Sequence, residues 1–194
     1  MKPSRILLAS ASPRRRELLA QIGVEFETFA VEADEIPKLG ETPEHYVQRV
    51  AAEKSLLAQR ASPLVLPVLG ADTEVVLDGE IFGKPIDFDH ARTLLRRLSG
   101  REHTVLSAVS LRLGDQHWQA LSVNKVTFRA ITEAEISAYW QTGEPCDKAG
   151  AYAIQGLGAV FIERLEGSFS GVMGLPIFET AKLLQKVGVQ ILNQ

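Results

Sequence analysis

The chain is poor in several things, and each shortage excludes something. One of its 194 residues is cysteine, Cys146. No disulfide can therefore form within the chain, and a reducing, cytoplasmic setting is expected. Cys146 has no activating context around it and reads as structural. The four histidines, His45, His90, His103 and His117, stand apart with no zinc-ligand spacing. No apolar run is long enough to span a membrane. Met1-Lys2-Pro3-Ser4-Arg5 leads into only a handful of apolar residues, too few for a signal-peptide core. Positive charge is not in excess: 21 Lys and Arg face 24 Asp and Glu, a net of −3. Bulk charge thus gives a nucleic-acid partner no support. The common phosphate and nucleophile fingerprints are missing too. No G-x-x-x-x-G-K-[ST] occurs, Gly156-x-Gly158 has no third glycine at the required spacing, and there is no G-x-S-x-G elbow.

What remains is an ordinary globular composition, 45% hydrophobic and 23% charged, with 15 Gly and 9 Pro. It can fill a core, and the length fits one domain or one domain with two lobes. No repeat period and no low-complexity segment is visible.

One stretch breaks local rules. Arg5-Ile6-Leu7-Leu8-Ala9 is a short apolar run that predicts a buried strand, and Ser10-Ala11-Ser12-Pro13 then stops it. Ser12 is expected as N-cap, with Pro13 at the first helical position. Leu18, Leu19 and Ile22 supply the apolar face, and Gly23 ends the helix. Yet Arg14, Arg15 and Arg16 fill the first turn, where the helix dipole favours acids. Two explanations fit: an anion that the backbone N–H groups and arginines share, or three solvated arginines on a surface turn.

Further along, residues 24–31 alternate loosely as a strand would, and an acidic segment with Glu35 leads into a Pro/Gly loop. Thr42-Pro43-Glu44 opens a helix to about Arg60 with the stripe Val47, Val50, Ala51 and Ala58. Lys54 falls inside that stripe, either snorkelling outward or reaching into a site. The apolar run Leu64–Ala71 predicts a central strand ending in Asp72-Thr73, a carboxylate where α/β sheets place ligands. A second strand, Glu74–Leu77, turns at Asp78-Gly79 into Glu80–Phe82, and Gly83-Lys84-Pro85 closes the hairpin with Lys84 held extended. Asp89 is expected to cap a helix through Leu98. Strands 103–113 and 117–129 follow, then a helix opened by the capping box Thr132/Glu135. A polar loop, 144–150, precedes the small-residue stretch holding Gln155. A strand over 159–164, a glycine-rich loop over 167–174 and a last helix from Pro176 to Gly188 complete the expectation. Arg14, Arg15, Lys54 and Lys84 beside Glu35 and Asp72 suit triphosphate chemistry with a divalent metal: cations neutralise phosphate, and carboxylates hold metal or activate water.

Set in order, these motifs resemble a family. Ser10-Ala-Ser-Pro-Arg-Arg-x-Glu-Leu-Leu19, Gly70-Ala-Asp-Thr73, Gly83-Lys-Pro85, Ser99-Gly-Arg101, Asp147-Lys-Ala-Gly-Ala-Tyr152, Ile154-Gln-Gly156 and Gly174-Leu-Pro176 are similar to those of the Maf nucleoside triphosphate pyrophosphatases. The match runs from Ser10 to the final helix. The resemblance implies one Maf-like domain over residues 1–194. It implies an α/β fold similar to the inosine triphosphate pyrophosphatases, with an elongated mixed sheet, flanking helices and two lobes around a cleft. It also implies hydrolysis of a nucleoside triphosphate to monophosphate and pyrophosphate with Mg²⁺ or Mn²⁺, and a possible homodimer, with neither nucleic acid nor membrane as partner. By the same resemblance Asp72 is the general base, Glu35 the metal-linked acid alongside it, and Arg14, Arg15, Lys54 and Lys84 bind phosphate, with Ser10 in the same substrate-binding motif. Arg14, Thr73 and Gln155 look like the branch acting on dTTP and UTP. The alternatives are the sister branch acting on 7-methyl-GTP, or a non-catalytic nucleotide-binding regulator of septum formation. A Gln at 155 makes chemical sense, because an amide offers donor and acceptor to the imide edge of uracil or thymine. One departure stands out: Gly171-Val172 occupies a place where many members carry Asn-Val.

Overall fold

The structure is a computed structural model in which residues 5–191 are described. Residues 1–4, used above only against a leader, and 192–194 lie outside the described residues. Among the described residues, seven strands make one mixed sheet. They are β1 (Arg5–Ala9), β2 (Glu25–Thr28), β3 (Val68–Leu77), β4 (Glu80–Phe82), β5 (Glu102–Leu113), β6 (Gln116–Phe128) and β7 (Ile162–Glu166). Their order is β2-β1-β3-β5-β6-β7, with β4 paired to β3. β1 runs parallel to both β2 and β3, and the remaining pairings are antiparallel. This is the mixed α/β sheet with flanking helices that the family resemblance implies. Among the described residues, no helix is long and apolar enough to cross a membrane.

β1 and the first half of β3 are buried on both sides, which explains their unbroken apolar runs. On one face lies α2 (Pro43–Ala61), packing Tyr46, Val47, Val50 and Ala51 on Leu106 and Ala108. The other face carries two clusters. α1 (Pro13–Gln21) and α6 (Ile177–Lys186) build one around Ile6, Leu8, Leu69 and Val109. α3 (Phe88–Leu98) and α4 (Glu133–Gln141) build the second around Phe82, Leu95, Val126 and Phe128. Val172, Ile162 and Leu165 touch both clusters, so the two lobes meet there.

The course of β3 positions everything that follows. On one edge it pairs with β5 from Val68 to Val76. On the opposite edge β1 accompanies it only from Val68 to Gly70, and β4 joins only at Val75. Residues 71–74 therefore have no strand neighbour on that edge among the described residues. The sequence pattern places Asp72 at a strand end, and this is corrected: β3 runs unbroken through Asp72-Thr73, and it is the neighbouring strand that changes. The strand also starts later than Leu64. Residues 64–66, flanked by Pro63 and Pro67, form a loop in which Val65 is 92% exposed.

Other boundaries shift for local reasons. Asp87, not Asp89, caps α3, because its carboxylate accepts the His90 N–H at 2.7 Å. Ser12 holds the N-cap position of α1 without a side-chain cap bond, and its own N–H donates instead to Ser10 Oγ at 3.2 Å. The expected strand over 24–31 shortens to β2. The one expected over 159–164 begins only at Ile162, after a 3₁₀ turn, Leu157–Phe161. The glycine-rich loop winds into a short helix, α5 (Phe169–Met173), capped by Ser168. The Thr132/Glu135 capping box and the Asp78-Gly79 turn form as expected, the turn with φ of 53° and 80°.

α2 approaches β3 closely at Gly70. A Cβ there would stand 2.4 Å from Ala51 O and 2.7 Å from Ser55 N, both main-chain atoms that cannot swing away. Gly70→Ala is therefore expected to cost on the order of 1–3 kcal/mol. For a chain of this size that lowers Tm by about 2–4 °C per kcal/mol. An unchanged Tm in a thermal melt would mean that α2 does not press on Gly70.

Candidate functional site

The open edge of β3 exposes residues from both faces of one strand. Alternation sends Asp72 and Glu74 to the α2 side and Thr73 to the other. On the α2 side, Lys54 is 8% exposed and Asp72 5% exposed. Lys54 Nζ lies 2.7 Å from Asp72 Oδ1 and 2.7 Å from Glu35 Oε1. The stripe position of Lys54 thus points inward, and Gly70 is what lets its helix sit close enough. Asp72 Oδ2 is buried and has no partner among the described residues.

Glu35 comes from an exposed loop, and α2 holds that loop by its main chain. Arg49 donates to Asp34 O at 3.0 Å and Ile36 O at 3.1 Å, and Tyr46 Oη donates to Glu35 O at 2.9 Å. Arg49 also grips Glu41 with two parallel bonds of 2.7 and 2.9 Å. Three consecutive carbonyls of the Glu35 segment are thereby fixed to one helix.

The opposite face is a row of neutral groups ending on Arg15. Arg15 donates from Nε to Gly174 O at 2.8 Å, from Nη1 to Ser10 Oγ at 3.2 Å and from Nη2 to Thr73 Oγ1 at 3.5 Å. Thr73 Oγ1 and Ser107 Oγ are 2.8 Å apart, and Ser107 donates to Gly171 O at 2.6 Å. The contribution of Gly171 is thus its carbonyl. A Cβ there would come within 3.0 Å of Asn124 Nδ2 and 3.1 Å of Ser122 Oγ, so β6 side chains fill the space beside it.

Lys54, Asp72, Glu35, Arg15, Ser10 and Thr73 line one cleft of about 760 Å³, with Ser107 and Gly171 outside its lining. Arg14, Lys84 and Gln155 line it too, as do Asp147 and Lys148. Arg14 Nη1 is 3.7 Å from Asp147 Oδ2, and Lys148 pairs with the same carboxylate. Lys84 is exposed, on a loop whose Gly83 O accepts the Gly150 N–H at 3.1 Å. The Gln155 loop is stapled from behind. Glu144 accepts the Leu157 and Gly158 N–H groups, both at 2.9 Å, and the Tyr139 hydroxyl at 2.6 Å. All nine expected site residues, Ser10, Arg14, Arg15, Glu35, Lys54, Asp72, Thr73, Lys84 and Gln155, are therefore brought to the same cleft.

Charge is balanced at short range. Burial opposes the Glu35 carboxylate, but the Lys54 hydrogen bond and then the charges of Lys54, Lys84 and Arg15 outweigh it and hold its pKa below the ordinary value. Burial lowers the Arg15 pKa, and the attraction of Asp72 only partly offsets this. Glu74 goes the other way: burial, then the charges of Asp72 and Glu35, push it up to about 8. Its Oε2 is buried without a partner.

The donor set fits a hard divalent cation, since Glu35 and Asp72 offer carboxylate oxygens and Asp72 Oδ2 is free of protein bonds. Among the described residues no three His, Cys, Asp or Glu side chains form a ready cage. One or two carboxylates completed by phosphate oxygens and water is the arrangement Mg²⁺ usually takes.

Sequence reasoning passes over Glu74, Arg49, Ser107 and Glu144. Glu74 has a signal: two residues after Asp72 in a strand, it shares that residue's face. The other three act across long sequence separations and leave no local trace.

The family described as Maf-like protein matches residues 5–187. The chain is similar to a dTTP/UTP pyrophosphatase of Methylococcus capsulatus, 61% identical over 185 residues, covering 95% of this chain and 92% of that one. It is similar to a dTTP/UTP pyrophosphatase of Pseudoalteromonas atlantica, 49% identical over 187 residues, covering 95% and 97%. Among solved structures, a nucleoside-triphosphatase / dITP/XTP pyrophosphatase of Mycobacterium abscessus aligns with a TM-score of 0.44 and 19% identity, over 64% of this chain and 74% of that one.

The raised Glu74 pKa makes stability depend on pH. Unfolded Glu titrates near about 4.3, folded Glu74 at about 8. Between these values the folded chain binds the extra proton, so this group's contribution falls as pH rises from about 4.3 to about 8. Glu74→Gln removes that loss. The Tm of the variant relative to the parent is expected to grow steadily from pH 5 to pH 8. A difference that stays constant would mean that Glu74 is already ionised in the folded chain at pH 5.

Proposed function

The chain belongs to the Maf family, and we propose that its cleft hydrolyses dTTP and UTP to the monophosphate and pyrophosphate. The observation that carries the proposal is Asp72: a buried carboxylate with one oxygen on Lys54 and the other unpartnered, lining a cleft with Arg14, Arg15, Lys54 and Lys84. That pairing of a shielded base with surrounding cations is what attack on a polyanion requires. The match over residues 5–187 supports reading the chain as one domain.

In the proposed reaction Asp72 takes a proton from a water molecule. The water oxygen bonds to the α-phosphorus. The bond from that phosphorus to the bridging oxygen breaks, and pyrophosphate leaves. Arg14, Arg15 and Lys84 bind the phosphates. Lys54 holds Asp72 aligned, with Glu35 as its second anchor. A divalent cation, Mg²⁺ or Mn²⁺, would be held by Glu35 and Asp72 with phosphate oxygens and would neutralise developing charge. Gln155, at the tip of the loop held by Glu144, offers its amide to the imide edge of uracil or thymine.

The test is pyrophosphate release from dTTP, UTP, CTP, dATP, GTP and 7-methyl-GTP with each metal. Selective turnover of dTTP and UTP is expected. In Asp72→Asn it should fall on the order of 10²–10⁴-fold, while nucleotide still binds. Near-normal turnover in that variant would remove Asp72 as the base. Turnover centred on 7-methyl-GTP would keep the chemistry and overturn the base assignment. No turnover of any triphosphate would overturn the enzyme reading. Gln155→Glu should lower kcat/KM for UTP by about tenfold or more, since a carboxylate cannot donate to a uracil carbonyl.

A further inference from the structure

The neutral row behind Thr73 has a direction, and the direction follows from its far end. Ser107 stands opposite Thr73 in the β3–β5 register and is fully buried. Its hydroxyl has one proton. Gly171 O, 2.6 Å away, can only accept, so that proton goes to the carbonyl. The 2.8 Å contact between Ser107 Oγ and Thr73 Oγ1 then needs the proton of Thr73. The other group Thr73 can donate to, Gly174 O at 3.4 Å, is also part of the protein. Arg15 Nη2, 3.5 Å away, is a donor and supplies no place for the proton. Thr73 lines the cleft, and with its proton spent within the protein its hydroxyl can offer a ligand only the lone pair that Arg15 does not take. Turning its hydroxyl outward would leave two oxygens 2.8 Å apart with no hydrogen between them.

We propose that Ser107 is a specificity-determining positioning residue: by taking the Thr73 proton it makes Thr73 an acceptor toward the cleft, which then selects a nucleotide presenting an N–H or O–H donor there over one presenting an acceptor. This rests on the reading of the cleft as a nucleoside triphosphate site. Phosphate oxygens only accept, so they gain no hydrogen bond from Thr73 and find their donors on the cations instead. The part of the nucleotide that meets Thr73 is a base N–H or a sugar hydroxyl. Uracil and thymine carry an N3–H on their imide edge, and cytosine carries a lone pair at the same place. The device uses the main chain of Gly171, so it works with glycine there.

The experiment compares the parent chain with Ser107→Ala, Thr73→Val and the double variant, with Tm confirming that each folds. Affinities for the non-hydrolysable α,β-imido forms of UTP and CTP are measured by calorimetry, and kcat/KM is measured for UTP and CTP. A preference for UTP is expected in the parent. Ser107→Ala should shrink it roughly tenfold, because the freed Thr73 hydroxyl can then donate to cytosine N3. Thr73→Val should remove the share of the preference that Thr73 supplies and leave the share read by Gln155, and the double variant should match Thr73→Val, since Ser107 acts through Thr73. Ser107→Cys, nearly isosteric but a weaker acceptor, should fall between and serves if Ser107→Ala does not fold. dTTP against its 3′-deoxy form gives the sugar arm: a Ser107-dependent ratio there, with none for UTP and CTP, assigns the donor to the sugar hydroxyl. Equal weakening of all nucleotides, with every ratio unchanged, would overturn the inference and leave Ser107 a packing residue. A parent that binds these nucleotides but hydrolyses none would overturn the proposed function, and the binding ratios would still decide the polarity of Thr73.

Discussion

A buried ammonium held between two carboxylates is the constraint on which the rest depends. Lys54 Nζ cannot leave water without compensation, and Asp72 and Glu35, each at 2.7 Å, supply it. Both partners must then be brought to one point. Gly70 lets α2 settle on β3 so that Lys54 reaches Asp72. Arg49 and Tyr46 tie the Glu35 segment to the same helix. One helix thus carries the cation and fixes one of its anions, while the strand beneath carries the other.

The site exists because β3 changes neighbours without ending. β1 leaves it at Gly70 and β4 arrives at Val75, and the gap between them exposes both faces of the same strand. The two faces have opposite characters. The α2 side holds Asp72, Glu74, Lys54 and Glu35. The other side holds hydroxyls and carbonyls, Thr73, Ser107, Gly171 and Gly174, joined to the charged half by Arg15. A ligand with a charged end and a neutral hydrogen-bonding end matches that division.

Short-range electrostatics do what net charge cannot. With a formal charge of −3 the chain has no overall attraction for a polyanion. The cations gather at the cleft, and their effect shows in the lowered pKa of Glu35. Glu74, on the strand face of Asp72, is driven toward the neutral form instead, by burial first and then by the charges of Asp72 and Glu35. Two carboxylates lining one cleft are thus shifted in opposite directions.

Much of this was legible in order along the chain. The buried run before Ser10, the stripe of α2, the Asp78-Gly79 turn and the Thr132/Glu135 box are local patterns, and local patterns are what a period or a cap encodes. Arg14, Arg15, Lys54 and Asp72 stand out in the sequence because charge in a first turn, a Lys in an apolar stripe and an Asp in a buried run each break a local rule, whereas Ser10, Thr73 and Gln155 come forward only through the family resemblance. The cap of α3 and the start of β3 were misplaced, because Asp87 and Asp89 are equivalent on paper and because Pro63 and Pro67 detach Leu64–Leu66 from the strand. Arg49, Ser107 and Glu144 stayed silent, since each earns its role from partners that only folding brings near. The sequence by itself determined which elements form and which side chains carry unusual chemistry, since propensity and period act between neighbours. Only the tertiary structure decided that Lys54 points inward, that β3 is open from 71 to 74, and that the Thr73 proton is turned away from the cleft, because these depend on close approach between segments far apart in the chain.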